Sequence, residues 1–296
     1  MKRAPVFSVW ILFALLFAFG CAHKSPMETA LNEPRSLTLA SGQTLEFLEL
    51  GDSAGQPILF LHGYTDSLFS YSRIAPLMAP SYRAIYLSMR GHGKAARANE
   101  YAMETFARDA VEAMDALNIE NAVVVGHSMG SIIAQKMALL YPKRVEALVL
   151  LGSAPSCSDN AVLSELMDYV NTLKDPIDPA FVLEFQASTV TAPVPKAFMD
   201  RVVKESLKLD AATWKEVLRQ LMAVDHRKKL KEIDVPTLVM WGENDGVFGT
   251  SDQLYLGTHI PKAVLKLYPK TGHGLHWERP ETVAADMQLF IESATR

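Results

Sequence analysis

From residue 36 onward, short uninterrupted apolar runs alternate with stretches in which apolar residues recur every three or four positions. The runs predict strands over 44–50, 57–61, 84–88, 122–125 and 147–151. Between them the pattern predicts helices over 71–78, 103–117 and 129–140. The second of these carries Phe106, Ala110, Ala113, Met114 and Leu117 at helical spacing. Runs that are apolar at every position suit strands covered on both faces, so the prediction is an α/β fold: a mostly parallel sheet with helices on both sides. The rhythm breaks after Leu151. Over 156–231 there is no convincing strand, and helical segments are separated by Pro176, Pro179, Pro193 and Pro195. It resumes with strands over 237–241 and 264–268 and helices over 251–258 and 280–291. The core therefore reads as two parts, 36–155 and 232–296, interrupted by a helical insertion at 156–231.

The first 35 residues show a different pattern. Lys2 and Arg3 precede an uncharged run from 6 to 19, which is short for a spanning helix and suited to the core of a signal peptide over 1–20. Ala18-Phe19-Gly20-Cys21 resembles the lipobox of bacterial lipoproteins, with Ala18 and Phe19 where that family usually shows Leu and a small residue. The resemblance implies a lipidated Cys21 as the mature N-terminus and an exported protein tethered to a bacterial membrane, facing the periplasm or the exterior. Residues 21–35 are polar with two prolines and read as the tether.

Composition narrows the class. Of the 296 residues, 49% are apolar and 21% charged, which excludes a disordered chain. The mean hydropathy of +0.08 is uneven along the chain. Residues 1–20 sum to about +31 on the usual scale against about +24 for the whole chain, so the rest is slightly hydrophilic. A formal charge of −4 gives no cationic footprint for nucleic acid. Two cysteines build no disulfide scaffold, and Cys157, with no basic neighbour in sequence, reads as structural rather than nucleophilic.

The chemistry concentrates in a few short motifs. Gly126-His127-Ser128-Met129-Gly130 is a G-x-S-x-G sequence between a predicted strand and a predicted helix, the context of a nucleophile elbow that projects the Ser128 hydroxyl. A serine nucleophile needs a base oriented by a carboxylate. Asp245 and His273 each come after a predicted strand in the required chain order, with Glu243 and His276 as competing acid and base. His273 and His276 also form an H-x-x-H pair, but no further ligand cluster supports a metal. Gly91-His92-Gly93-Lys94-Ala95-Ala96 fits G-x-G-x-x-A formally. The succeeding ARANEYAM does not open an apolar helix, so the reading is a tight loop and no cofactor.

The elbow, His62-Gly63 after a strand, Arg90-Gly91-His92-Gly93, WGENDGVF and GHGLHWERPE together resemble the α/β-hydrolase superfamily, in its capped esterase-like branch, over about 36–154 and 232–296. The resemblance implies Ser128 as nucleophile, His273 as general base and acid, and Asp245 as its orienting carboxylate. It makes 156–231 a cap over the site. The oxyanion donors would be the backbone amides of Tyr64 and Met129, with His62 shaping the loop. The family often carries Asp where Ser88 stands.

A serine at the elbow disfavours haloalkane dehalogenase and epoxide hydrolase chemistry. It leaves hydrolysis of a small, moderately apolar ester, with lactone or carbon-carbon bond cleavage on the same triad as alternatives. A noncatalytic binding protein on a hydrolase scaffold is the alternative of a different class. Phe181, Phe185, Phe198, Met199, Trp214 and Met222 are the candidates for an apolar pocket in the insertion, and Trp277 for its edge.

Overall fold

In the computed structural model, which describes residues 33–295, eight strands form one sheet in the order β1-β2-β4-β3-β5-β6-β7-β8. The strands are β1 (Arg35–Thr38), β2 (Thr44–Gly51), β3 (Gln56–Leu61), β4 (Tyr82–Ser88), β5 (Ala122–His127), β6 (Val145–Leu151), β7 (Thr237–Gly242) and β8 (Ala263–Tyr268). From β4 through β8 all neighbours are parallel, whereas β1 and β2 are added antiparallel at one edge. The expected signal peptide (1–20), Cys21 and most of the expected tether (21–35) lie outside the described residues.

The central strands are apolar at successive positions because each face of the sheet has its own core. Leu59, Leu61, Val124, Leu148 and Leu150 point to one side, where they meet Phe106, Ala110 and Met114 of α1 (Met103–Ala116) and Ile132, Ile133 and Met137 of α2 (Met129–Leu140). Their neighbours Ile58, Phe60, Val123, Val125 and Val149 point to the other side, against Tyr71 and Ile74 and the helix Pro280–Ala294. Period-2 alternation within an all-apolar strand thus divides the interior into two cores.

Four helices separate β6 from β7: α3 (Ala161–Val170), α4 (Pro179–Ser188), α5 (Lys196–Ser206) and α6 (Ala211–Met222). Three start on side-chain caps legible in the sequence. Asn160 accepts from the Leu163 amide, Asp178 from that of Ala180, and Asp210 from that of Thr213. The two ends of this insertion meet at its base, where Ser156 bridges Asp225 and the His226 amide donates to the Pro155 carbonyl. The chain closes with α7 (Thr250–His259), the short α8 (Leu275–Glu278) and α9 (Pro280–Ala294).

Two local expectations need correction. The helix expected over 71–78 is instead a pair of short 3-10 turns, Leu68–Tyr71 and Ala75–Leu77. Pro76 has no amide to donate and its ring obstructs the carbonyl four residues back, so a continuous α-helix does not form. Arg35, expected to lie in the polar segment 21–35, already belongs to β1. That strand lacks an apolar run, and cross-strand contacts hold it instead: the Arg35 guanidinium stacks 4.5 Å from the Phe47 ring and pairs with Glu49 at 2.8 Å.

The loop after β4 is tied to α1 by a buried two-pronged pair. Arg90 Nε and Nη2 each donate to Asp109 at 2.6 Å, and both side chains are nearly inaccessible. Replacing Arg90 with Met leaves the Asp109 carboxylate buried without its cation, with an expected loss of about 3–5 kcal/mol. The double variant Arg90→Met/Asp109→Leu should recover most of it. Urea midpoints decide the matter, and a single-variant loss below about 1 kcal/mol would show that the pair carries no such weight.

Candidate active site

Four strand ends converge at the carboxyl edge of the parallel sheet, where such sheets offer their ligand side. Ser128 comes directly after β5 and caps α2 at φ 51°, ψ −120°, a left-handed conformation that side chains disfavour. Crossing strand into helix so sharply requires bare backbone on both sides. A Cβ at Gly126 would stand 2.2 Å from the Gly130 carbonyl oxygen, and one at Gly130 would stand 2.0 Å from that of Leu61. Met129, the first residue of α2, carries one of the amides that find no acceptor within their own helix.

His273 lies beyond β8 and Asp245 beyond β7. His273 Nδ1 donates to Asp245 Oδ2 at 2.8 Å. The carboxylate is fully covered and also accepts the amides of Val247 and Phe248, at 2.8 and 3.0 Å. Burial alone would raise the Asp245 pKa, but the facing His273 and these hydrogen bonds hold it below the ordinary carboxylate value. With Nδ1 engaged by Asp245, Nε2 is the ring nitrogen of His273 left to meet a hydroxyl. Gly152, beyond β6, leaves room for the ring, since a Cβ there would lie 3.0 Å from His273 Nδ1. The competing Glu243 side chain is exposed to solvent, and His276 is buried against Ser70, with Nε2 3.2 Å from its hydroxyl. Among the described residues no group of three or more side chains is arranged to hold a metal.

Ser128 and His273 open into one cavity of about 720 Å³, counting its mouth. Gly63, Tyr64, Asp66, His127 and Trp277 line it from the core. Val162, Leu163, Leu166, Phe185, Gln186 and Leu221 line it from the inserted helices. Of the six pocket candidates in the insertion, only Phe185 reaches this wall. Trp214 is instead buried between Phe181, Phe185 and Tyr64, and Phe198 packs against Phe69 and Trp277. The mean apolarity of the insertion is readable from the sequence, but which face of each helix turns inward depends on how the helices cross.

The loop after β3 is held by His62. The Met89 amide donates to His62 Nε2 at 3.0 Å, which leaves the proton on Nδ1 to donate to the Gly63 carbonyl at 2.8 Å. Burial and the neighbouring His92 lower the His62 pKa far below that of a free imidazole, so it stays neutral. His127 is buried beneath the elbow, with Nε2 3.2 Å from the His273 carbonyl, and burial holds its pKa down to about 3. Cys157 is buried and its thiol is pushed up to about 12, which removes thiolate chemistry at neutral pH. Around Gly91-His92-Gly93 the carboxylate absent from position 88 comes from the adjacent strand. Glu46 on β2 accepts from the Ser88 hydroxyl at 2.8 Å and from the Lys94 amide at 3.0 Å.

Asp66 belongs to no sequence motif, yet it is buried and faces the cavity. It accepts from Gln186 at 3.1 Å and Ser70 at 3.3 Å. Burial raises its pKa to about 7, against those hydrogen bonds and the attraction of His273, which pull it down. A raised folded-state pKa means that the native state binds the proton more tightly than the unfolded chain. The stability this group contributes is full below about pH 4 and is lost as pH rises to about 7. Asp66→Asn should therefore gain on the wild type by on the order of 3 kcal/mol between pH 4 and pH 7.5. The buried histidines, which act in the opposite direction, cancel to first order in that difference. Denaturant titrations of both proteins at several pH values measure it, and a pH-independent difference would contradict the assignment.

A family model described as alpha/beta hydrolase fold matches residues 56–188. The chain is 27% identical to a non-heme haloperoxidase from Rhodococcus erythropolis, across 87% of this chain and 99% of that protein. It is 28% identical to Lipase 1 of Psychrobacter immobilis, across 95% and 96%. Among solved structures, an esterase from Rhodococcus sp. ECU1013 superposes with a TM-score of 0.79 at 23% identity, covering 88% of this chain and 99% of the other. On its sheet order, its elbow and these matches, the chain has the α/β-hydrolase fold.

Proposed function

We propose that the protein is a serine hydrolase of small, moderately apolar carboxylic esters, working through an acyl-enzyme. The observation that carries this reading is the 2.8 Å contact from His273 Nδ1 to a buried, ionised Asp245 beside a cavity that also takes Ser128. His273 Nε2 accepts the Ser128 proton as Oγ adds to the ester carbonyl. Asp245 holds the ring in the required tautomer and stabilises the imidazolium that forms. The tetrahedral oxyanion is met by the amides of Met129 and Tyr64 in a site that excludes bulk water. His273 then passes its proton to the departing alcohol. A water deprotonated by the same Nε2 releases the acid and restores Ser128. The aliphatic wall of Val162, Leu163, Leu166 and Leu221 suits a short or medium acyl or alkyl group. The inserted helices act as the cap that encloses it. No cofactor enters this chemistry.

We further propose that the chain is exported and held at a bacterial membrane through an acylated Cys21, on the strength of the lipobox-like sequence alone. Among the described residues no helix is long and apolar enough to cross a membrane.

Two experiments test these readings. An alkyl fluorophosphonate should label Ser128, and Ser128→Ala should lose roughly 10⁴ to 10⁶ fold in turnover of a short acyl ester if the triad acts as a unit. Retained turnover in that variant would sink the assignment. Cys21→Ser should move the protein from the membrane fraction to the soluble one and abolish palmitate incorporation. Unchanged fractionation, with no acylation of the wild type, would remove the anchor.

A further inference from the structure

Three consecutive residues of the loop after β3 are each gripped by the inserted helices. Tyr64 Oη donates to the Trp214 carbonyl of α6 at 2.7 Å, and its ring packs edge-on against Trp214 and Phe185. Thr65 Oγ1 donates to Ser206 Oγ of α5 at 3.2 Å. Gln186 of α4 directs its amide Nε2 at Thr65 Oγ1, Asp66 Oδ1 and Ser206 Oγ, at 3.3, 3.1 and 2.8 Å. Thr65, Gln186 and Ser206 are essentially inaccessible, and Thr65 holds a left-handed φ of 62° without being glycine. A strained backbone of this kind persists only where its surroundings over-determine it. Here the surroundings are a buried polar junction between α4, α5 and the loop.

We infer that Gln186 is a positioning residue for the reaction. Through Thr65 and Asp66 it fixes the backbone of the loop that presents the Tyr64 amide to the oxyanion, so the cap sets the electrostatics of the transition state as well as the shape of the pocket. This inference rests on the serine hydrolase reading and adds a residue to it. The physical basis is that an oxyanion donor works only when held at hydrogen-bond distance from where charge develops. The Gln186 side chain reaches both loop residues and a second cap helix at once. The loss of its amide frees the loop without emptying the pocket, because Met has nearly the same length and volume.

The inference predicts a specific signature for Gln186→Met in the full-length protein. On a short acyl ester, kcat should fall about 10- to 100-fold while KM stays within about threefold. Inhibition by butylboronic acid, whose tetrahedral adduct on Ser128 places an oxygen in the oxyanion site, should weaken by a similar factor to kcat. Binding of butyramide, a ground-state mimic, should not change. Thr65→Val removes the same junction from the core side and should reproduce the pattern if Gln186→Met does not fold. The double variant should be no slower than the slower single variant, because both break one linkage. Unchanged kcat and boronate affinity would overturn the inference. So would an equal loss of boronate and butyramide binding, which marks a pocket that has simply deformed. Wild-type turnover and fluorophosphonate labelling are measured first. Their absence would refute the hydrolase reading itself, whereas their presence with an unaffected Gln186→Met refutes only the role of Gln186.

Discussion

Ser128 occupies a backbone conformation that its own β-carbon opposes, and it stays there because the chain on either side is stripped of side chains. Gly126 and Gly130 let β5 and α2 cross at a separation no other residue pair would allow, with the backbone of β3 closing the third side. Every other part of the site is arranged around that crossing. The amide of Met129 comes from the start of α2, the neutral His127 fills the space beneath, and His273 is brought up by the parallel pairing of β7 and β8. The strain is local, but the two cores on either face of the sheet hold β5 in the middle of the molecule, where it cannot relax.

Buried histidines cluster around the site. His62, His92, His127 and His276 are all buried and all kept neutral, chiefly by burial. Each has at least one ring nitrogen engaged by a backbone atom or hydroxyl, and His62 has both. Neutral imidazoles contribute directional hydrogen bonds without adding charge near the serine. Of the carboxylates at the site, Asp245 is kept ionised by His273 and two amides, whereas Asp66 is pushed towards neutrality by its surroundings. The same functional group in one small region is thus given two protonation tendencies by different partners.

What the sequence disclosed was whatever depends on local pattern. The parallel strands read clearly because their apolar runs are unbroken, and Ser128, Asp245 and His273 read clearly because each stands in a short motif after a strand. What it concealed depends on the third dimension. β1 has no apolar run and is held by Arg35 on Phe47. The turns around Pro76 look helical if the missing amide is ignored. Asp66, Gln186 and Ser206 belong to no motif, and they meet only because α4 and α5 fold back over the loop after β3. Glu46 replaces an expected carboxylate from a neighbouring strand, a substitution visible only in the register of Glu46 opposite Ser88. The aromatic residues of the insertion were readable as apolar but not as inward or outward. Most of them pack the helices together and leave the cavity wall to smaller aliphatic side chains.

The insertion leaves the sheet and returns to it through a single narrow neck, where Ser156 meets Asp225 and Pro155 meets His226. Beyond that neck, among the described residues, it adds no strand to the sheet. Lengthening, shortening or exchanging the intervening helices changes only the size of a loop whose ends are already closed, and the entropic cost of a longer loop grows slowly. Such an architecture lets pocket shape diversify while the elbow remains untouched. One part of the insertion that is not freely exchangeable is the small patch gripping residues 64–66, where a transplanted set of helices would have to reproduce the grip or inherit a looser site.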